Sequence, residues 1–279
     1  MIAILGGLGA ALAWAATTLC SARASRSIGS IQTLAWVMLV GLVPAVIAVA
    51  VAGGSAPTGS EAGWLVLSGV GNVAGLGLVY AGLRRGKVGV IAPIASTEGA
   101  VAAVIAIALG EHLSPGVAAA LALAVAGVVL AAAAKGDEGR TAPAAIAFAG
   151  CAALAFGASI YATGRVSQEL SVAWALLPAR AVGVAFVTLP LLVARRLAVP
   201  RGPTGALVVA TGLAEVAGFA FYALGARHGI AVAAVLASQF AALAAIGAVV
   251  LYNERLTRWQ TTGLVLIAIS VAVLSVLRA

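Results

Sequence analysis

Ten stretches of apolar residues follow one another along the chain, at 1–20, 31–51, 62–83, 88–109, 116–134, 142–164, 172–194, 203–226, 230–251 and 259–277. Each approaches the roughly 20 residues that a helix needs to cross the hydrocarbon of a bilayer. Polar and turn-forming residues separate them: Gly53-Gly54-Ser55 with Pro57 and Gly59, Arg84-Arg85-Gly86-Lys87, Lys135 to Arg140, and Arg195-Arg196 through Pro203. The runs carry none of the strict alternation that a membrane β-barrel requires, and backbone groups in lipid are satisfied only by a closed ladder, so each run predicts a helix. The expected fold is an all-α membrane protein of ten transmembrane helices.

The pattern repeats. Laid without a gap over the stretch from Gly212 to Leu256, the stretch from Gly69 to Leu113 places Val73-Ala74-Gly75 on Val216-Ala217-Gly218, Gly82 on Gly225, Arg84 on Arg227 and Gly86 on Gly229. Glu111-His112-Leu113-Ser114 falls on Glu254-Arg255-Leu256-Thr257. A duplicated unit leaves such an echo. The most polar link, 135–141, then divides the chain into a first five-helix repeat (1–134) and a second (142–279). Five is odd, so a second repeat of the same fold must enter the membrane upside down, and two inverted repeats around a central cavity are expected. Small residues four apart, at Gly71/Gly75, Gly82/Gly86 and Gly225/Gly229, suit close helix packing in lipid.

Composition agrees. Of 279 residues 63% are hydrophobic and 9% charged, and the mean hydropathy is +1.15, against roughly 45–50% apolar and about 25% charged in soluble domains. The net charge of +8 reads as topological and not as a nucleic-acid footprint, because no aromatics interleave the basic residues on one face. Twelve of the 16 Lys and Arg lie in the links after odd-numbered spans. Since cytoplasmic loops gather such residues, both termini are expected on the periplasmic side of a bacterial inner membrane. The N-terminus has no basic leader and reads as the first span. Cys20 and Cys151 read as packing residues.

Ionisable groups inside spans are costly, about 2.5–3.5 kcal/mol on insertion scales, and are functional candidates by default. They are Glu98, Arg180 and Glu215. Glu98 follows Ser96 and Thr97, with Pro93 five residues earlier to free a backbone carbonyl. Ser238 and Gln239 stand at the corresponding level of the second copy, and Asn72 corresponds to Glu215. A carboxylate in a dehydrated cavity suits proton uptake or a substrate ammonium, so Glu98 and Glu215 are the proton-coupling candidates. The bland alternative is that an acid pairs with Arg180 and locks the bundle. Trp36, Trp64, Trp174 and Trp259 lie near span starts and fit an interfacial belt, whereas Trp14 lies deeper and is a cavity candidate. Tyr80 and Tyr222 can offer a flat face and a hydroxyl to a substrate, or belong to the belt. Glu111 and Glu254 precede a hydroxyl residue and read as helix caps, acting with Ser114 and Thr257 on the next helix. No zinc-protease motif, nucleophile elbow or phosphate loop is present, and His112 and His228 form no pair in sequence. Neither an enzyme nor an ATP-driven pump is encoded, and no cofactor or metal is expected.

The span ending in Gly-Glu-His-Leu-Ser at 110–114, and its echo Asn-Glu-Arg-Leu-Thr at 253–257 before the final span, resemble the paired signature of the drug/metabolite transporter superfamily in its ten-span EamA-like branch. Trp14 in the first span and Phe156 at the matching place in the sixth agree with that family's opening pattern. The resemblance implies a basket of two inverted five-helix repeats, with a cavity lined mainly by spans 1, 3, 4, 6, 8 and 9, and relatives that export amino acids, including aromatic ones. Two departures stand out: the 53–61 link has no Lys or Arg where typical relatives are basic, and span 1 lacks the embedded acid of small four-span multidrug relatives.

Together these readings predict a secondary transporter exporting small metabolites, amino acids foremost, by alternating access, driven by a proton or substrate gradient. Its partners are the lipid bilayer and a small-molecule substrate. Ten spans suffice to enclose a pathway, so a monomer is expected. Substrate-binding candidates are Trp14, Asn72, Tyr80, Ser96, Thr97, Glu98, Phe156, Glu215, Tyr222, Ser238 and Gln239. The competing readings are export of hydrophobic cationic drugs and, from another class, a membrane-embedded enzyme or lipid-handling scaffold.

Overall fold

The computed structural model describes residues 1–83, 94–132, 143–252 and 258–277. The polar link at 135–141, the basic turn at 84–87, Pro93, the 253–257 signature with Glu254, and the Tyr80 side chain lie outside the described residues. The described helices are α1 (Ile2–Ile28), α2 (Ser30–Ala52), α3 (Gly59–Leu83), α4 (Glu98–Ala108), α5 (Pro115–Ala132), α6 (Pro143–Glu169), α7 (Val172–Val193), α8 (Pro203–Ala226), α9 (Ile230–Ala237), α10 (Phe240–Tyr252) and α11 (Arg258–Leu277). A π-helical turn at Val184–Thr188 interrupts α7, where the Thr188 hydroxyl donates to the Ala35 carbonyl of α2.

Six helices, α1, α2, α3, α6, α7 and α8, are long and apolar enough to cross a membrane, and shorter apolar helices cover 98–108, 115–130, 230–244 and 261–274. The chain is a multi-pass membrane protein. Leu12, Val51, Val104, Leu154, Phe186 and Val193 are well exposed on its surface, as lipid-facing side chains must be. In contrast α9 is buried along its whole length, which its Ala/Val/Leu composition permits on every face.

The helices meet in matched pairs. α1 lies along α8 as α3 lies along α6; α2 touches α8 as α3 touches α7; α4 touches α6 as α1 touches α9 and α10. The matching extends to single residues at an offset of 142 or 143. A Cβ on Gly218 would lie 2.4 Å from the Trp14 ring, and one on Gly75 would lie 2.6 Å from the Phe156 ring. The Thr17 hydroxyl donates to the Thr211 carbonyl, and the Ser159 hydroxyl to the Ser68 carbonyl. Gly41 is closed by Arg180, and Gly183 by Met38. The Ser270 hydroxyl donates to the Ala120 carbonyl between α5 and α11, where Gly127 meets the Gly263 carbonyl.

These close approaches need glycine, because apolar burial does not drive helices together in lipid and contact area must come from backbone proximity. On α1, a Cβ at Gly6 would meet the Gly225 Cα at 2.5 Å and the Phe221 carbonyl at 2.6 Å, neither of which can turn aside. Around Gly77 there is open space. Gly6→Ala is expected to destabilise the fold by about 1–3 kcal/mol, and Gly77→Ala to leave stability unchanged, as read by thermal unfolding in detergent.

Candidate functional site

Several of the candidate residues lie where two helices break. Before α4 the chain turns at Ser96-Thr97, and between α9 and α10 it turns at Ser238-Gln239, 142 positions further on. Ser, Thr and Gln side chains compete for backbone carbonyls and so favour such breaks. Here the Thr97 hydroxyl donates to the Ile94 carbonyl at 2.7 Å. The Ser238 hydroxyl and the Gln239 amide both donate to the Val235 carbonyl, at 2.8 and 2.9 Å. Each turn thus supplies from its own side chains part of what the interrupted ladder lost. Gly99 lets the two breaks touch: a Cβ there would lie 2.5 Å from the Ala234 carbonyl and 2.6 Å from the Ser238 hydroxyl.

An aromatic group flanks this level. Trp14 makes edge contacts with Phe219 (5.3 Å) and Phe240 (6.3 Å) and lies at 6.3 Å from Tyr222. Trp14 is buried, as expected for a residue deep in the first span, and its indole Nε1 has no hydrogen-bond partner. Tyr222 is fully buried and so is no belt residue, and its hydroxyl is committed to the Ile160 carbonyl at 2.8 Å. Phe156, the counterpart of Trp14, packs on Gly75 of α3 and not in this group.

The three embedded ionisable residues converge. Arg180 is completely buried and reaches Glu215 at 3.3 Å, Met38 Sδ at 3.3 Å and the face of Phe219 at 5.2 Å. Glu98 is 7% exposed, and the Glu215 charge acts on it electrostatically. Among the described residues Glu98 has neither an ion pair nor a hydrogen bond to its carboxylate. Asn72 and Gln239 are buried, each with its amide oxygen unpartnered, and Arg180 Nε is likewise unpartnered. Leaving such atoms without water costs about 1–3 kcal/mol each. Ser96 is also buried.

Sequence reading pointed to the stretch Gln239-Phe240-Ala241 opposite Ser96-Thr97-Glu98 but missed Phe219, which had a signal in lying one helical turn after Glu215. Trp64 is partly buried and packs edge-on against Tyr161 at 5.7 Å, at the border of the core. Trp36 and Trp174 instead donate from their indoles to the carbonyls of Ala198 and Gly53 at the ends of spans.

Comparison with known proteins bears on the first half of this arrangement. Residues 1–133 match the EamA-like transporter family. No curated protein matches the sequence. A solved crystal structure, titled only as that of a protein, is similar over 95% of this chain and 96% of its own, with a TM-score of 0.76 at 19% identity. That likeness concerns the fold.

Glu111, inside the EamA-like stretch, caps a different helix from the one its sequence suggests. Ser114 does accept from the Val117 N–H at the start of α5, at 3.4 Å. The Glu111 carboxylate, however, accepts from the N–H groups of Ile230 (3.0 Å) and Ala231 (3.2 Å) at the start of α9 in the other half. Gly110 (φ 104) and Gly229 (φ 145) sit in backbone conformations that favour glycine and bring the two ends together. The partial positive charge of a helix N-terminus makes a carboxylate there favourable. Beside this cap lies an open cavity of about 440 Å³, lined by residues that include His112, Tyr161, Arg165, Gln168, Arg227 and His228. The two histidines, unrelated in sequence, thus line one cavity. Among the described residues no group of three or more His, Cys, Asp or Glu is placed to hold a metal. Glu111→Ala should lower stability by about 1–2 kcal/mol with Glu111→Gln intermediate, measurable as a graded fall in the thermal midpoint in detergent.

Proposed function

We propose that the protein is a secondary transporter that exports small metabolites bearing an ammonium group, amino acids foremost, by alternating access at the level of the broken helices. The observation that carries this reading is Glu98: a carboxylate 7% exposed and without an ion pair among the described residues, at a helix break within a membrane bundle. Structural ion pairs do not leave a partner out, and buried charges inside membranes mark solute or proton pathways. Discontinuous helices at the midplane supply backbone groups for a solute without a hydrogen bond being lost in lipid.

The matched contacts at an offset of 142 or 143 support two repeats related by a two-fold axis, with 1–134 and 142–279 as the units and 135–141 as their link. The six long apolar helices together with the four shorter apolar segments support ten spans. With five spans in each repeat, the second is inverted. Alternating access then follows as an exchange of conformations between two copies of one fold. Placement in a bacterial inner membrane with both termini in the periplasm rests on the basic links after odd-numbered spans. The proton or the substrate gradient is the driving force, and the chain works as a monomer.

A second reading, export of hydrophobic monocations, is favoured by the rings of Trp14, Phe219, Tyr222 and Phe240 beside an unpaired carboxylate, since aromatic faces attract cations. Counterflow in proteoliposomes with labelled leucine, phenylalanine and a cationic dye separates the two. Amino-acid counterflow that Glu98→Gln reduces by at least about tenfold, equivalent to about 1.4 kcal/mol, is the expected result, with Trp14→Ala raising the half-saturating concentration. Dye counterflow alone would select the second reading. Undiminished transport by Glu98→Gln would remove that residue from the mechanism.

A further inference from the structure

The charged side chains at this level do not pair off evenly. Arg180 stays protonated under all ordinary conditions, is wholly buried, and reaches one carboxylate, that of Glu215. Its partner in the other repeat is Met38, which touches it, so the same place near the two-fold axis holds a cation in one copy and a neutral side chain of similar length in the other. Phe219 lies over the guanidinium at 5.2 Å and also against Trp14, which couples the pair to the aromatic group. Glu98 is left without a countercharge among the described residues, within electrostatic reach of Glu215. Two carboxyl groups share this level with one guanidinium, and the one on Glu98 is left without a partner cation among the described residues.

We infer that Arg180 sets the charge that the site accepts: by neutralising Glu215 it leaves Glu98 as a single uncompensated carboxylate, selecting solutes with one ammonium group over dications and anions. Arg180 is a positioning residue and touches no solute, since Glu215, Met38 and Phe219 enclose it. The inference rests on the reading of this level as the transport site. It names the shared chemistry of amino acids and hydrophobic amines, one positive group, and explains why an arginine occurs where the repeat offers methionine. Replacing a buried ion pair by uncharged side chains of similar size is often tolerated, whereas removing one partner strands the other. Charge can therefore be varied here with the pair as a unit.

The test is inhibition of labelled-leucine counterflow in proteoliposomes by two competitors, butylamine and 1,5-diaminopentane, with thermal unfolding in detergent recorded for every variant. In the parent protein butylamine should inhibit at the lower concentration. Arg180→Met leaves two carboxylates and should move the ratio of half-inhibitory concentrations about tenfold toward the diamine. Glu215→Gln leaves Glu98 facing an unbalanced Arg180 and should weaken butylamine about tenfold. The double variant R180M/E215Q restores a single charge and should return the ratio to within about threefold of the parent. A merely structural ion pair would change thermal stability and overall rate without moving the ratio. A ratio constant across variants would overturn the inference while leaving the transport reading intact. Absence of any amine-sensitive counterflow in the parent protein would overturn the transport reading first. Should R180M fail to fold, E215Q and the double variant carry the same comparison, and a double variant no better for butylamine than E215Q contradicts the inference.

Discussion

A polar group that has left water inside a membrane must find its partner within the protein, and the arrangement around the two helix breaks follows from that constraint. At Ser96-Thr97 and Ser238-Gln239 the backbone ladder is interrupted, and local side chains return donors to the Ile94 and Val235 carbonyls. The breaks are tolerated because both lie between packed helices, with α9 buried throughout and Gly99 bringing α4 against it. Among the described residues the constraint is not met at Trp14 Nε1, Asn72 Oδ1, Arg180 Nε and Gln239 Oε1, all of them buried. An ordinary core would have removed them, since each is destabilising on its own.

The same constraint shapes the packing. Burial of apolar surface gives little reason for two helices to associate in lipid, so association depends on close backbone approach. Gly6 against Gly225, Gly71 against Ala155 and Ser159, and Gly127 against Gly263 and Ile267 provide it. Some of these contacts recur at an offset of 142 or 143, as where Gly75 receives Phe156 and Gly218 receives Trp14. The differences between halves, Asn72 for Glu215, Met38 for Arg180 and Phe156 for Trp14, then stand out as places where shared packing does not dictate the residue.

Much of the fold was legible in the sequence because lipid imposes a length on each apolar run. The expected 172–194 and 203–226 correspond to Val172–Val193 and Pro203–Ala226 almost to the residue. The first span was expected to end at 20, yet α1 continues to Ile28, since Arg23 and Arg26 can remain helical in water without needing the hydrocarbon. The polar level at Ser96 and Ser238 was visible as paired positions, but that the helices turn there was not, because Ser and Gln are also accepted within intact helices. Partner choice was the least legible. Glu111 reaches a helix 119 residues away, and Tyr222 uses its hydroxyl on Ile160, 62 residues away. Neither follows from local spacing. The meeting of Arg180 with Glu215 was one of two alternatives that the sequence left open, and geometry chose it.

The central claim is that solute crosses at the level of the two helix breaks, open to each side in turn. It is tested most directly by placing one cysteine at Ser238, in a protein whose Cys20 and Cys151 have been replaced, and treating right-side-out and inside-out vesicles with a membrane-impermeant maleimide. The account predicts labelling from both sides during amino-acid counterflow, with saturating amino acid slowing it from each. Labelling confined to one side throughout counterflow, or indifferent to amino acid from both, would contradict it.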